Sequence, residues 1–336
     1  MKSINLLDCT LRDGGYVNDW MYGREAIEKI VAGLEEAAVE ILEIGFLRKG
    51  QSNPNRSSYP TIPELNASFG KKKDGVIYSA MIEGAASFPL DDILPATDSG
   101  VDLIRICTWK RLTDEHFDYC KKVGEKGYKI SLQPTAVSQY NEQEFTEMVK
   151  KANDVHPFAL YIVDTWGTQD SENIRKYAEI AGKYLDEDIM IGYHGHNNKM
   201  QALSCAQSLL NMNLPHAICI DSSISGMGRG VGNLQTEVIM DYLNKNHGKH
   251  YDSMKMVDLY EKYLYPIYQE QPWGYSPYFY ISATYGCAQD FATYFRDNKI
   301  GEHNFKIFLD SLSAQEKVVF KKDFVEEKLN ELKIKY

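Results

Sequence analysis

Eight short apolar runs rich in β-branched residues, separated by longer stretches with apolar residues three and four apart, constrain this chain more than any other feature. The runs fall at residues 4–9, 41–46, 76–81, 103–107, 129–133, 160–163, 190–193 and 217–220, and the helical pattern fills 24–38, 113–127, 142–153, 171–184 and 199–212. Asp114, Asn141 and Ser171 suit helix N-caps, and Gly127 and Asn213 suit stops. Strands alternating with helices give an α/β fold with a parallel sheet and right-handed crossovers, and eight such units suit closure into a (β/α)8, or TIM, barrel. A doubly wound open sheet is compatible with the count alone.

The polar residues separate the two. Arg12 and Asp13 follow the first run, Glu43 lies in the second, Arg105 in the fourth and Gln133 in the fifth; Asp164 ends the sixth, His194 and His196 the seventh, and Asp221 the eighth. A barrel brings all these ends to one mouth, whereas an open sheet gathers only those near its switch point. Arg105, Gln133 and Asp164 are therefore expected among the substrate contacts. The barrel is expected over 1–245. Beyond it, residues 246–336 read as a helical C-terminal domain, with helices at 254–268, 283–297, 302–309 and 314–333 and a Gln271-Pro272-Trp273-Gly274 turn. Its many tyrosines suit packing on the barrel or on a second copy, so a homodimer is expected.

A net charge of -10 repels phosphate backbones and anionic membranes, so neither nucleic acid nor membrane is an expected partner. An anionic small-molecule substrate then needs a cation inside the site. The six cysteines form no CxxC pair, which disfavours zinc-ribbon and thioredoxin chemistry. No apolar stretch approaches the ~20 residues of a membrane span, and the start of the chain runs directly into a strand pattern, so a cytoplasmic location is expected.

His194-Gly195-His196 is the sharpest chemical signal. Residues two apart on a strand share a face, so two imidazoles there can hold one metal ion, with Gly195 keeping the position between them small. A plain pair of hydrogen-bonded histidines has the same spacing. Such a site needs an oxygen ligand, which Asp13 of the Arg12-Asp13-Gly14-Gly15 turn can offer across the mouth, although the turn alone has a purely structural reading. Mixed N/O donors without thiolate suit Mg, Mn, Co or Zn, with Mn or Mg favoured by hard octahedral oxygens. The loop Gly226 to Asn233 lacks GxGxxG and P-loop spacing. Its glycines, Gly228 and Gly230 among them, can present backbone N–H groups to substrate, or form only a tight turn, and Asn233 can offer a further oxygen to the metal.

Four motifs in order, Asp8-Cys9-Thr10-Leu11-Arg12-Asp13-Gly14, Glu43-Ile44-Gly45-Phe46, His194-Gly195-His196-Asn197 and the Gly226 to Asn233 loop, resemble the superfamily of metal-dependent lyase and condensing barrels. That superfamily includes 4-hydroxy-2-oxovalerate aldolase, 3-hydroxy-3-methylglutaryl-CoA lyase and 2-isopropylmalate synthase. The resemblance implies Asp13, His194 and His196 as metal ligands with Asn233 beside them. It implies Arg12 as the cation facing an enolate, and Glu43 as the carboxylate that orients Arg12 or a metal-bound water. It also implies aldol cleavage of a 4-hydroxy-2-oxo acid to pyruvate, or another 2-oxo acid, and an aldehyde. An acyl-CoA condensing or lyase activity, and a non-catalytic binding barrel, are the alternatives. Where the aldolase branch has histidine and the CoA lyases glutamine, this chain has Tyr16, which needs a neighbouring cation or metal to act as a base. The likeness of residues 284–296 to the aldolase's C-terminal region is faint and gives little ground for a partner dehydrogenase.

Overall fold

The computed structural model describes residues 3–110 and 114–334. Thr113, where the second helical pattern begins, and the two residues at each end of the chain lie outside the described residues.

The eight runs are eight parallel strands: β1 Ile4–Asp8, β2 Ile41–Leu47, β3 Ile77–Ile82, β4 Leu103–Thr108, β5 Lys129–Pro134, β6 Ala159–Asp164, β7 Met190–Gly195 and β8 Ile218–Ser222. Each pairs with its neighbour in sequence, and β1 pairs with both β2 and β8, which closes the barrel. A two-residue strand, Ser58–Tyr59, adds to the edge of β2 near its end.

Strand phase decides what faces where, because side chains alternate. Leu7, Ile41, Leu103, Ala159, Tyr161, Met190 and Cys219 form an apolar plug inside the barrel. Their neighbours one residue along, among them Leu6, Leu42, Ile104, Leu160, Ile162, Ile191 and Ile220, face outward and join the large core under the surrounding helices. In the inward phase, one step nearer the mouth, come Glu43, Arg105, Gln133, His194 and Asp221, all buried.

The helices between strands follow the sequence pattern closely. Asn141 caps Glu142–Val155 with a full capping box, its side chain accepting from Glu144 N while Glu144 accepts from Asn141 N. Ser171 is not the cap of the next helix. Asp170, one residue earlier, accepts from Asn173 N, so Ser171 is the first helical residue. Gly127 follows the helix Asp114–Glu125 with φ +95°, as a stop requires. The helix expected to stop at Asn213 instead ends at Leu210, with Asn211 as its C-cap.

After helix Thr236–His247 the chain stays helical. Ser253–Leu259 runs through a π turn, Tyr260–Leu264, into Tyr265–Glu270, and its buried Met256, Leu259 and Leu264 join the barrel's outer core. The expected 283–297 helix is two, Pro277–Thr284 and Gln289–Asp297, broken at Gly286 in the left-handed region (φ +59°). The expected 314–333 helix is likewise a short turn, Ala314–Lys317, followed by Lys322–Glu331. These helices surround a second core of Phe279, Phe291, Phe295, Phe305 and Phe308, which Ala136, Trp166 and Val231 enter from barrel loops. Among the described residues, no helix is long and apolar enough to cross a membrane.

Candidate metal centre

Asp13 sits in a one-turn helix, Thr10–Asp13, just after β1, while His194 is the last residue but one of β7 and His196 follows the strand. One donor atom from each of the three lies within 4.8 Å of the others, and all three side chains are buried. Gly195 between the histidines faces the opposite way, where an added Cβ would stand 2.1 Å from the Tyr193 hydroxyl oxygen.

Hydrogen bonds fix which imidazole nitrogens are available. His194 Nδ1 pairs with Asp221 Oδ2 at 2.9 Å, and His196 Nδ1 with the Arg229 carbonyl at 3.1 Å. Each ring then offers Nε2 as a lone-pair donor, the arrangement in which a carboxylate or carbonyl behind a histidine orients it toward a metal. Burial pulls His196 down to about 4, and this outweighs the opposing pull of Asp13, so the ring is neutral near pH 7. Burial alone would raise Asp13, but the Arg12 guanidinium and then the two imidazoles hold its carboxyl well below the usual range. An ionised carboxylate and neutral imidazoles are the forms that bind a divalent ion.

Asn233 donates from Nδ2 to Asp13 Oδ2 at 2.7 Å, and its buried Oδ1 accepts no hydrogen bond from the described residues. Gly228 leaves room for this pairing: a Cβ there would lie 2.4 Å from Asn233 Nδ2 and 2.7 Å from Asp13 Oδ2. The donor set, the ionised Asp13, the neutral His196 and the unfilled acceptor all fit a divalent cation.

A chain of charges supports the donors from beneath. Arg12 gives Nη1 to Asp13 at 2.5 Å and Nε to Glu43 at 2.8 Å. Glu43 also meets Arg105 Nη1 at 2.9 Å, and Arg105 Nη2 pairs with Asp221, which holds His194. Two guanidiniums against three carboxylates leave one net negative charge, which a divalent ion converts to a net positive site for an anion. Buried charges of this kind are tolerable only when each is paired, and removing one partner typically costs about 3–5 kcal/mol.

The pocket above the donors holds about 110 Å³ and is lined by Arg12, Asp13, Tyr16, Gln133, His194, His196 and Arg229, with Phe46, Met81, Cys107 and Val163 as apolar wall. Gln133 is thus where a substrate contact was expected. Arg105 is not. It lies fully buried below the pocket, over the Tyr161 ring (4.7 Å), as a strut between Glu43 and Asp221. Asp164 is also elsewhere, because it is out of phase with Tyr161 and Val163; it accepts from the Thr168 and Gln169 backbone N–H groups and orders the following loop. Gly228 and Gly230 line a larger neighbouring cavity rather than this pocket.

Tyr16 overlies the mouth, its ring against Trp20 (4.9 Å) and Phe46 (6.2 Å), with the Arg229 guanidinium 5.3 Å from its centroid. Desolvation raises its hydroxyl pKa, against the pull of Arg229 and Arg12. The cation needed for a base is therefore present but outweighed, and Tyr16 carries its proton at neutral pH. Sequence reasoning left Arg229, Glu83, Trp109, Thr135 and Thr165 out of the lining, and missed Asp221 as the partner of His194. The signal for Asp221 was its inward phase, two residues after Cys219.

The HMGL-like family model matches residues 97–261. Oxaloacetate decarboxylase of Mycobacterium tuberculosis is 26% identical over 244 residues, 71% of this chain and 70% of that protein. A 4-hydroxy-2-oxovalerate aldolase of Pseudoalteromonas translucida is 24% identical over 280 residues, 81% of this chain and 78% of that one. Among solved structures, the N-terminal domain of a putative aldolase from Bacteroides vulgatus superposes with TM-score 0.71 at 21% identity, over 87% of this chain and 96% of that one. The HMG-CoA lyase from Brucella melitensis superposes with TM-score 0.65 at 15% identity, over 80% of this chain and 100% of that one. At these identities the superpositions speak for the shared barrel.

Proposed function

We propose, on the premise that this chain is an enzyme of the metal-dependent aldolase and lyase type with an HMGL-like domain, that it makes or breaks the carbon–carbon bond beside the carbonyl of a 2-oxo acid. The substrate class is a 4-hydroxy-2-oxo acid, yielding pyruvate or another 2-oxo acid and an aldehyde. The observation that carries this reading is Arg12 held against the Asp13, His194 and His196 donors in a pocket of about 110 Å³. That space is on the order of four waters, suited to a three-carbon oxo acid rather than to a long chain.

A divalent ion in this donor set, Mn or Mg by its hard remaining positions and Co or Zn by ligand chemistry, supplies Lewis-acid polarisation of the substrate's carbonyl. The chain's own groups do the rest. Arg12 is fixed through Nε and Nη1, and its Nη2 remains for the oxygen on which charge grows as the bond breaks. Glu43 keeps that guanidinium from turning. In the condensation direction Tyr16 Oη–H donates to the aldehyde oxygen, which must gain a proton as the new bond forms. Phe46, Met81 and Val163 exclude water from the enolate.

Decarboxylation of a 2-oxo diacid generates the same enolate with carbon dioxide departing. The larger cavity of about 660 Å³ beside the pocket favours an aldehyde instead, because carbon dioxide needs no such space.

The test is loss of the methyl protons of pyruvate in deuterated water, followed by NMR with and without Mn. Metal-dependent exchange is expected in the wild type and should be abolished in Asp13→Asn. Absence of exchange with Mn, Mg, Co and Zn alike would sink the pyruvate-enolate reading.

A further inference from the structure

The cavity beside the metal pocket is about six times its size, roughly 660 Å³ against 110 Å³. The two share Tyr16 and Arg229 in their linings, so the stacked Tyr16–Arg229 pair is the partition between them. Its floor is the Gly228 to Gly230 loop, and its far wall is the helix Gln289–Asp297 with the Gln271 to Trp273 turn. Gly230 is pressed to that helix: a Cβ on it would lie 2.3 Å from the buried Gln289 Oε1, which has no hydrogen-bond partner among the described residues.

The chemistry of the wall is specific. Its four charged side chains neutralise each other in pairs, Arg229 with Asp290 at 2.6 Å and Arg296 with Asp297 at 2.8 Å. Each pair still presents unused N–H donors and carboxylate acceptors; Gln271 adds an amide able to do both, and Thr293, whose hydroxyl donates to the Gln289 carbonyl at 3.3 Å, adds an acceptor. Trp273 and Phe279 supply flat apolar faces between them. A multiply charged tail such as that of an acyl-CoA finds no excess of cations here. An alkyl chain would cover these donors and acceptors without pairing them, which weakens its binding relative to a group that can pair. Hydroxyl groups, which donate and accept together, match the pairs, while the C–H faces of a polyol match the rings.

We propose that this cavity binds the aldehyde half of the substrate, and that this half is a polyhydroxylated aldehyde of sugar size. Its carbonyl carbon reaches past Tyr16 to the enolate formed in the inner pocket. The methyl carbon of the 2-oxo acid gives a proton to water and bonds to that carbonyl carbon, whose oxygen takes the Tyr16 proton, which water restores; no oxidant or reductant enters. The catalytic half of this inference rests on the aldolase reading, and the binding half does not.

Binding is therefore tested first, by saturation-transfer NMR with erythritol and with 1,4-butanediol as the chain of equal length lacking the inner hydroxyls. Erythritol should bind, butanediol should bind about 10-fold more weakly or not at all, and Thr293→Trp, which fills the cavity, should weaken erythritol by about 10-fold, the worth of one good hydrogen bond. Gln271→Trp, on the exposed turn, is the second filling variant should the first misfold. No erythritol binding, equal binding of butanediol, or erythritol affinity unaltered in a folded filling variant overturns the proposal, whatever pyruvate does. With Mn and pyruvate, carbon–carbon bond formation should then favour erythrose over propanal by at least about 10-fold in kcat/KM. Equal use of the two aldehydes overturns the proposed selectivity. Failure of methyl-proton exchange alone strikes the aldolase reading and leaves the binding result to decide this one.

Discussion

Arg12 is the residue on which the structure of the mouth, and the proposed chemistry, most depend. Its guanidinium forks, Nε to Glu43 and Nη1 to Asp13, with Nη2 remaining. Lysine has one ammonium on a flexible stem and cannot hold both carboxylates while facing the substrate. Arg12→Lys should therefore lower kcat by about 10²–10³-fold, the size expected when an oxyanion donor is lost, and should leave Mn affinity within a few-fold. Steady-state kinetics beside a Mn titration would check it; equal losses in both would mean that Arg12 only holds Asp13. Gly228 makes the opposite prediction. A methyl group there meets Asn233 Nδ2 and Asp13 Oδ2, so Gly228→Ala should displace the carboxylate and weaken Mn binding by about 10–100-fold, as loss of a ligand's supporting bond does. Calorimetric titration with Mn measures this directly, and unchanged affinity would show that Asp13 tolerates the shift.

At the scale of strands and helices, the barrel was legible because every strand is a run of β-branched and apolar residues buried on both faces. Asp13, His194 and His196 were legible because a polar residue at the end of such a run has few structural uses. Arg105 and Asp164 were read less well, since a run buried on both faces hides its phase. Only the pairing shows that Asp164 points outward and that Arg105, though inward, is tied between Glu43 and Asp221 outside the pocket lining. The break at Gly286 was missed because apolar spacing continues across it. Helix Asp114–Glu125 carries a titration that belongs to this scale. His116 is buried against Thr108 and Cys120, and desolvation lowers it from near 6.5 to about 4. Between those values the unfolded chain binds a proton that the folded chain refuses, so its contribution to stability is lost as pH falls from about 6.5 to 4, by about 2 kcal/mol at pH 4.5. The buried Asp8 and Asp164, both raised to about 6 chiefly by burial, act in the opposite sense there, losing stability as pH rises through 6. The comparison of wild type with His116→Leu isolates the histidine. Urea unfolding at pH 7 and 4.5 should show a smaller loss on acidification in the variant; equal losses would mean that His116 opens to solvent before it titrates.

Across the whole molecule, the barrel mouth and the helical core share side chains. Ala136, Trp166 and Val231 leave the loops after β5, β6 and β8 to enter the phenylalanine core, and Gln289 Nε2 donates back to the Thr165 carbonyl at 3.3 Å. Arg229 is the direct link to the candidate metal donors, its carbonyl on His196 Nδ1 and its guanidinium on Asp290 of the helix Gln289–Asp297. An ion bound by Asp13, His194 and His196 would therefore stabilise a loop that the helix holds from the other side. A ligand at about 100-fold over its Kd adds roughly 2.7 kcal/mol to the state that binds it. If that state includes the helix, Mn should slow amide hydrogen exchange in residues 289–297 as well as in 194–197 and 226–233. The Arg229–Asp290 pair is part-exposed and worth at most about 1 kcal/mol by itself, so Asp290→Ala should hardly change the Tm. It should nevertheless reduce the protection that Mn confers on 289–297 while leaving that of 194–197 in place. Mn protection confined to the barrel in the wild type would show that the helical core opens without disturbing the metal centre, and that its contribution is limited to the wall of the outer cavity.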